Sequence, residues 1–427
     1  MTATSRTLIC VDGPGGPTPE WFVPRLCDGH DLTILWAPAG DPLIDDHKRD
    51  LFARWKCRQF TFNTGDDLTE LIKKYAHSEQ SDGILCFSEL RVIEAYTAAL
   101  ELGLPANPVQ AINAMRDKYE QRKLLAAAGV PVPRYARVRT GTELKEACRR
   151  VGLPAILKPV TGAGSLATYL IDDSTDLPAV WELARAAHDR DSRGGKTSTF
   201  ILEDRLIGVN KHSDDRYGDY ASVESITFDG RTEHLAVTDK LPLTPTFREN
   251  GGILPSVLPE ADIETLHAAA ADAIQALGLK NCATHIEFKF TADGPRIIEV
   301  NCRIGGGVSE QLFYAADYDV VDALADISVG RQPARMKDPE RYAAILLPQI
   351  ASEPLEVVHA PTPDEVLSFP GAKSAYIKYS AGDCPRWEDG TVAGTLARVF
   401  AAASDHETLL RTFHRLEGSF NFVEIPC

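Results

Sequence analysis

Residues 282–307 read CATHIEFKFTADGPRIIEVNCRIGGG, and the alternation inside them sets how the rest of the chain is read. From Thr284 to Phe290, His285, Glu287 and Lys289 alternate with Ile286, Phe288 and Phe290. From Arg296 to Arg303, Glu299, Asn301 and Arg303 share one face, with Ile298 and Val300 on the other. Side chains alternate faces along a strand, so each run predicts a strand with one polar and one apolar face. Asp293-Gly294 between them predicts a hairpin. If Thr291 to Pro295 form a five-residue loop, Glu287 lies opposite Glu299 and His285 opposite Asn301. A two-residue Asp-Gly turn would slip the register by one and send the two glutamates to opposite faces. The longer loop is expected, because it gathers the ionisable groups on one side.

Facing carboxylates repel unless a proton or a cation sits between them. Two carboxylates and an amide are an all-oxygen donor set, suited to Mg²⁺, which keeps waters and takes phosphate oxygens. Arg303 adds a fork for a carboxylate or phosphoryl oxygen. A single glutamate pair would read as the wet face of an ordinary hairpin. The acidic pair, the amide, the arginine and the Gly305-Gly306-Gly307 turn together weaken that reading.

This combination, HIEFKF…IIEVNCRIGGG, resembles the metal-binding end of the ATP-grasp ligases, where a Glu on one strand and Glu-x-Asn on the next hold magnesium. The resemblance implies Glu287, Glu299 and Asn301 as metal ligands and Arg303 as a catalytic group. The implied cofactors are ATP and Mg²⁺, with Mn²⁺ as an alternative ion. It also implies a fold of α/β and α+β character: a Rossmann-like N-terminal domain, an ATP-grasp core and a C-terminal β-rich unit.

The totals fit such an architecture. A chain of 427 residues can form two to four units, each with its own core. The formal net charge of -16 argues against a nucleic-acid surface, which needs a basic footprint. It does not exclude a nucleotide pocket, which can be locally basic. Nine cysteines are scattered without a Cys-x-x-Cys pair, so reduced thiols are expected rather than a zinc site. No apolar run approaches the roughly 20 residues that span a bilayer, and the N-terminus does not read as a secretory leader. A cytoplasmic protein with no membrane partner is expected.

Residues 1–115 alternate short apolar runs (Thr7–Val11, Leu32–Ala37, Arg58–Phe62, Gly83–Phe87) with amphipathic stretches at Leu68–Ala76 and Leu90–Leu102. That alternation predicts a parallel sheet. Asp12-Gly-Pro-Gly-Gly-Pro17 after the first run does not fit G-x-G-x-x-G, and its prolines remove N–H donors, so a tight turn is expected there. In residues 103–138, Asn107 before Pro108 predicts a helix cap, and Asp117 caps the next helix with Glu120 as its partner. The same segment looks like the ATP-grasp entry segment, which assigns Lys118 to the nucleotide phosphates.

Residues 154–171, PAILKPVTGAGSLATYLI, predict strand, glycine loop and strand. Lys158 is read as a point charge on the phosphates, with backbone N–H groups of the loop, including Gly162, Gly164 and Ser165. No Gly-Lys-Ser/Thr follows, which excludes a Walker A loop. Thr199–Asp204 is another strand. The resemblance makes it the adenine hinge and assigns Glu203 and Leu206 to the nucleotide. The acid expected next is Asn210 here, inside a polar insertion, so the ribose partner stays open. Asp229-Gly230 predicts a second hairpin, and Lys240 opens a Pro/Gly-rich loop, residues 241–258. By resemblance Lys240 lies near the transferred phosphoryl group and the loop borders the acceptor. Helices are expected at 261–277 and Ser309–Ile327, and strands at Tyr342–Ile350, Ala375–Ser380 and Gly394–Ala401.

The expected division is 1–115, 116–330 (a mobile lobe of about 155–240 and a metal core of 260–330) and 331–427. The function implied is an ATP-dependent carboxylate–amine ligase working through an acyl phosphate. Its partners are a small carboxylate and an amine, with amino acids expected, and the family expectation is a homodimer. His285 is assigned to orienting substrate or moving a proton, or alternatively to bonding Asn301. The competing readings are a biotin-carboxylase-like or purine-pathway enzyme and a non-catalytic ATP-binding module.

Overall fold

The computed structural model describes residues 6–190, 199–419 and 423–426. Strands β1 (Arg6–Val11), β2 (His30–Trp36), β3 (Arg58–Thr61) and β4 (Gly83–Cys86) form a parallel sheet in the order β3-β2-β1-β4. The four expected strands are all present. Crossover helices include Leu68–Ser78 and Val92–Glu101, as read from the sequence, and also Pro19–Cys27 and Pro42–Arg54. Those two were missed because each begins at a proline, which reads as a breaker but suits the first helical turn.

A second sheet, antiparallel, contains β5 (Tyr135–Val138), β6 (Ala155–Pro159), β7 (Tyr169–Ile171) and β8 (Phe200–Asp204), ordered β5-β8-β6-β7. Helices Gly141–Val151 and Leu177–Arg190 cover it around Leu157, Trp181, Phe200 and Leu202.

The remaining strands are β9 (Tyr220–Phe228), β10 (Arg231–Lys240), β11 (Gly251–Leu254), β12 (Cys282–Thr291), β13 (Gly294–Asn301), β14 (Tyr342–Leu346), β15 (Leu355–His359), β16 (Ala372–Ile377), β17 (Ala397–Ala403) and β18 (Val423–Pro426). β15 and β18 pair with each other. The other eight make one sheet, β13-β12-β9-β10-β11-β14-β17-β16. The strands expected as a C-terminal unit therefore continue the sheet that carries the acidic hairpin, and the expected lobe of about 155–240 contributes to two sheets. The helix Glu260–Leu277 lays Leu266, Ala273, Ile274 and Leu277 on Ile286, Phe288 and Val300, which seals the apolar face of the hairpin. The polar face is left toward the other lobes.

Between β9 and β10, Phe228 pairs with Arg231, and Asp229 and Gly230 have φ of 47° and 74°. That is the two-residue turn Asp-Gly predicts.

Residues 241–258 are not all loop. β11 lies within them and joins β10 to β14. Gly251 explains why the segment read as a turn and yet pairs. Its φ is +123°, and a Cβ there would collide with the Ile345 carbonyl oxygen. Only glycine takes that conformation readily and allows the approach. Gly251→Ala is expected to destabilise the protein by at least about 2 kcal/mol, seen as a lower urea midpoint at unchanged slope. An unchanged midpoint would disprove this account of how β14 docks.

Other expectations are corrected. The helix expected over Ser309–Ile327 is two, Val308–Ala316 and Val320–Ser328. Asp317 takes a left-handed φ of 51°, and Asp319 caps the second helix by accepting from Val321 N at 3.0 Å. Aspartate competes for helical N–H groups and so restarts the helix. Asn107 does not cap a helix. It accepts from Lys280 N (2.7 Å) and Asn281 N (3.0 Å) and donates to Asn281 O (2.9 Å), stitching the entry segment to the edge of β12. Asp117 caps its helix as expected, accepting from Tyr119 N and Glu120 N, but Glu120 turns to Lys123 and Arg137 instead of closing a capping box. Cys384 is disulfide-bonded, against the expectation of reduced thiols throughout. Among the described residues no helix is long and apolar enough to cross a membrane.

Candidate functional site

The hairpin places its ionisable groups as the alternation predicted, by a different route. Thr291 pairs with Gly294, so the turn is tight, centred on Ala292-Asp293, and the expected five-residue loop is absent. Phe288 then pairs with Ile297, whereas Glu287 pairs with Glu299 and His285 with Asn301. Ile298 is the extra residue of a β-bulge, which resets the register and restores both facing pairs. The bulge also frees the Ile298 carbonyl, which accepts from Arg122 Nη2 at 2.6 Å and Lys158 Nζ at 3.4 Å.

The cations expected on phosphates converge here. Lys118 Nζ lies 2.7 Å from Glu299 Oε1 and donates to the Gly162 carbonyl at 3.0 Å. It thus ties the hairpin to the glycine loop. Lys158 Nζ pairs with Glu203 Oε2 at 2.7 Å. Arg122 completes that group: its Nε donates to Glu203 Oε1 at 2.7 Å from a fully buried position. Burial alone would raise the Glu203 pKa, but the Arg122 and Lys158 charges hold it down at about 2. Glu203, expected to touch the nucleotide, is occupied in orienting two cations. Leu206, two residues past β8, is half-buried, and its backbone N–H makes no hydrogen bond among the described residues. In the glycine loop, Gly162 and Gly164 have φ of 154° and 70°, and Ser165 takes 58°. The Ser165 hydroxyl is not turned to the loop interior. It donates to the Phe247 carbonyl at 2.8 Å.

A second cluster surrounds His285. Its Nδ1 bonds the fully buried Glu224 at 2.8 and 2.9 Å, and its Nε2 lies 3.2 Å from Glu287 Oε1. The alternative bond to Asn301 is not the one formed. Burial opposes the charged ring, but Glu224 outweighs it and the pKa rises to about 9, so His285 is a cation at neutral pH. Lys240 Nζ lies 3.5 Å from Glu249 Oε1. Burial would lower the Lys240 pKa, yet Glu249, Glu287 and Glu224 together raise it. Glu249 itself is pushed up, by burial and by Glu287 beside it, while Glu287 is held low against burial by His285 and Lys240. Two neighbouring carboxyls shifted apart in this way mark a place that takes up a proton or a cation.

Arg303 Nε pairs with Glu89 Oε2 at 2.9 Å, and Glu89 is nearly fully buried with its pKa raised by that burial. The turn at 12–17 borders this pair: Gly15 packs beside Glu89 and Arg303, and the Ser88 hydroxyl donates to Pro14 O at 2.8 Å. The polar insertion packs on the outer end of the hairpin, where Asp219 pairs with Lys289. His212 pairs with Asp239 at 3.0 Å, Tyr217 stacks on His212, and the Tyr217 hydroxyl bonds His406.

Glu89, Arg122, Glu224 and Glu249 were missed in the sequence. None stands in a motif, and each shows its role only through a partner at least nine residues away in the chain. The isolated acid in an apolar strand at Glu224 (YASVESITF) was the one available signal.

Whether the acidic hairpin suits magnesium can be judged from its donors. Among the described residues no group of three or more His, Cys, Asp and Glu side chains is arranged to hold a metal. The donors are two carboxylates and an amide, all oxygen, with cations beside them for phosphates. That set fits an ion that draws much of its shell from phosphate and water.

Residues 151–311 match the ATP-grasp domain family. Over 254 residues the chain is 33% identical to the alanine–anticapsin ligase of Bacillus subtilis (strain 168), covering 56% of this chain and 52% of that protein. It is 25% identical to carnosine synthase 1 of Mus musculus over 325 residues, 70% of this chain and 37% of that one. The chain spans about half the length of curated relatives it matches. The crystal structure of the L-amino acid ligase from Bacillus licheniformis superposes with a TM-score of 0.75 at 18% identity, covering 99% of both chains. That likeness shows a shared fold over 99% of the chain, and the family match places an ATP-grasp domain at 151–311.

Proposed function

We propose that this chain, which carries an ATP-grasp domain, is an ATP-dependent carboxylate–amine ligase that joins amino acids, or an amino acid and a small acid, through an acyl phosphate. The observation that carries the reading is the facing of Glu287 and Glu299, with Lys118 on Glu299 and Lys240 beside Glu287. Relatives named for joining amino acids support the substrate class.

A carboxylate is unreactive toward amines until one oxygen becomes part of a leaving group. In this reading the acid's oxygen attacks the γ-phosphorus of ATP, the bond to the β-phosphate oxygen breaks, and ADP leaves. The neutral amine then attacks the acyl carbon, and phosphate leaves with the former carboxylate oxygen, the proton lost by the nitrogen ending on the released phosphate. Catalysis of the first step is positioning and charge neutralisation. Glu287, Glu299 and Asn301 would hold Mg²⁺, which supplies charge on the phosphates when bound. Lys118 and Lys158 bind the phosphates, and Lys118 must then exchange its bond to Glu299 for one to a phosphate oxygen. Arg303 stabilises the negative oxygen of the tetrahedral intermediate. His285, held charged by Glu224, orients Glu287 and balances its charge. Leu206 offers backbone to the adenine. The loop 161–165 covers the phosphates and keeps water off the acyl phosphate. A homodimer is the family expectation we carry into this reading.

ADP release, screened over amino-acid pairs with MgATP, tests it. Release that requires an amino acid and yields an amide is expected. Release that requires bicarbonate instead would put the chain with the carboxylases, and nucleotide binding with no release from any mixture would make it a binding module.

A further inference from the structure

Two loops of the proposed active site belong to different lobes: the glycine loop 161–165 over the nucleotide, and the segment 241–250 beside Lys240. Both are fastened to one short stretch far along the chain, residues 387–394. The Thr391 N–H donates to the Gly164 carbonyl at 2.8 Å. The Thr391 hydroxyl oxygen accepts from the backbone N–H of Glu249 at 3.2 Å. Thr391 is nearly buried, and its own carbonyl is held by Thr395 N (2.9 Å) and Thr395 Oγ1 (2.7 Å), so it is not free to turn. Gln349 Nε2 fixes the Glu249 carbonyl at 2.8 Å and is bonded in turn to Thr395 Oγ1.

Gly390 makes the approach possible. Its φ is +88°, a Cβ there would collide with the Gly164 carbonyl, and it would stand only 2.9 Å from Leu166 N. The two loops also meet directly, through Ser165 Oγ on Phe247 O. On the far side Arg190 reaches Asp389 at 3.2 Å. Glu249 is the carboxyl that faces Lys240 and Glu287, so the Thr391 hydroxyl governs the backbone of a group inside the reacting cluster.

We propose that Gly390 and Thr391 are positioning residues that couple the nucleotide loop to the acceptor loop, so that closing one over nucleotide orders the other. The inference rests on the ATP-grasp ligase reading. It goes beyond that reading by giving a short helical stretch between two C-terminal strands, Trp387–Asp389 and Gly390–Gly394, a part in the reaction. Coupling of this kind is reciprocal: whatever nucleotide does to the acceptor loop, an acceptor does to nucleotide affinity. The element that carries the coupling is the contact between 164–166 and 390–391, which a glycine at 390 allows and a side chain there forbids.

Amide hydrogen exchange of the full chain tests the coupling with MgADP as probe. In the unmodified protein, MgADP is expected to slow exchange in the 244–250 segment at least tenfold, although nucleotide lies against the other loop. In Gly390→Ala, MgADP is expected to leave 244–250 unchanged with the far-UV spectrum retained and a lowered thermal midpoint, because a left-handed φ and the clash with Gly164 strain a side chain there as at Gly251. A second variant, Thr391→Val, carries no such strain and separates coupling from stability. Thr391→Val keeps the backbone donor to Gly164 but loses the hydroxyl. It is expected to bind MgADP within about twofold while losing the slowing at 244–250, and Thr391→Ser should restore it. Equal slowing in the unmodified chain and in Thr391→Val overturns the proposal, as does an unmodified chain that binds MgADP without any slowing. If MgADP slows 244–250 as described but no amino acid elicits ADP release, the ligase reading fails and the coupling stands.

Discussion

Arg303→Ala is expected to lower kcat for amide formation by about 10²–10³, the usual cost of removing one donor to a developing oxyanion. MgADP affinity should change less than threefold, because the proposed site leaves the phosphates to Lys118 and Lys158. The variant should also fold. Arg303 is the ion-pair partner of Glu89, a carboxyl so buried that its pKa is already raised. With the guanidinium gone, Glu89 loses the charge that opposes its burial and is pushed further toward its neutral form, so some loss of stability is expected beside the larger loss of turnover. Arg303→Lys restores the charge without the fork and is expected to recover activity only in part. Steady-state ADP release with MgADP titration separates these outcomes. Unimpaired turnover in Arg303→Ala would remove it from the chemistry. Glu299→Gln is the companion variant: it keeps shape and loses charge, and ADP release should fall steeply while the fold is retained.

The largest stability effect is expected at Glu203. This carboxylate lies between Arg122 and Lys158, all three nearly fully buried. Glu203→Gln leaves two buried cations without their counter-charge, which costs roughly 3–5 kcal/mol. The pH dependence follows from the lowered pKa, about 2 against an ordinary 4.5. A depressed carboxylate contributes stability that is present above 4.5 and is lost as pH falls toward 2. At 1.36 kcal/mol per unit that is on the order of 3 kcal/mol. Urea unfolding between pH 3 and 7 should show a steep acid limb in the unmodified protein and a shallower one in Glu203→Gln. Parallel limbs would mean that the triad does not carry the acid sensitivity. Nucleotide affinity should fall with stability, since Lys158 loses the group that aims it.

Much of the site was readable because it is periodic or local. The two-residue alternation of 284–290 and 296–303 put His285, Glu287, Glu299 and Asn301 on one face, and they share it. Asp229-Gly230 turned as its dipeptide predicts, and Asp117 capped its helix. Where reading failed, two local rules competed. The Asp-Gly signal called for a tight turn and the charge pattern for a different register. The hairpin turned tightly one residue earlier than the dipeptide signals, at Ala292-Asp293, and recovered the register of the charge pattern by bulging at Ile298, which no rule of turn length foresees. Gly251 and Gly252 look like loop in sequence and are strand in the sheet, because the missing side chains serve the close approach of β14 rather than a turn.

Local pattern alone, then, dictated the strands, the turns and the facing of the two glutamates, since backbone periodicity acts over a few residues and needs no distant partner. Which groups those side chains meet was settled by packing. Glu203 is held by Arg122 and Lys158, His285 by Glu224 and Arg303 by Glu89, all across chain separations that leave no trace in spacing. Burial makes these pairs compulsory, because a charge removed from water must find an opposite charge or give up its own, and only the closed fold decides which one is near.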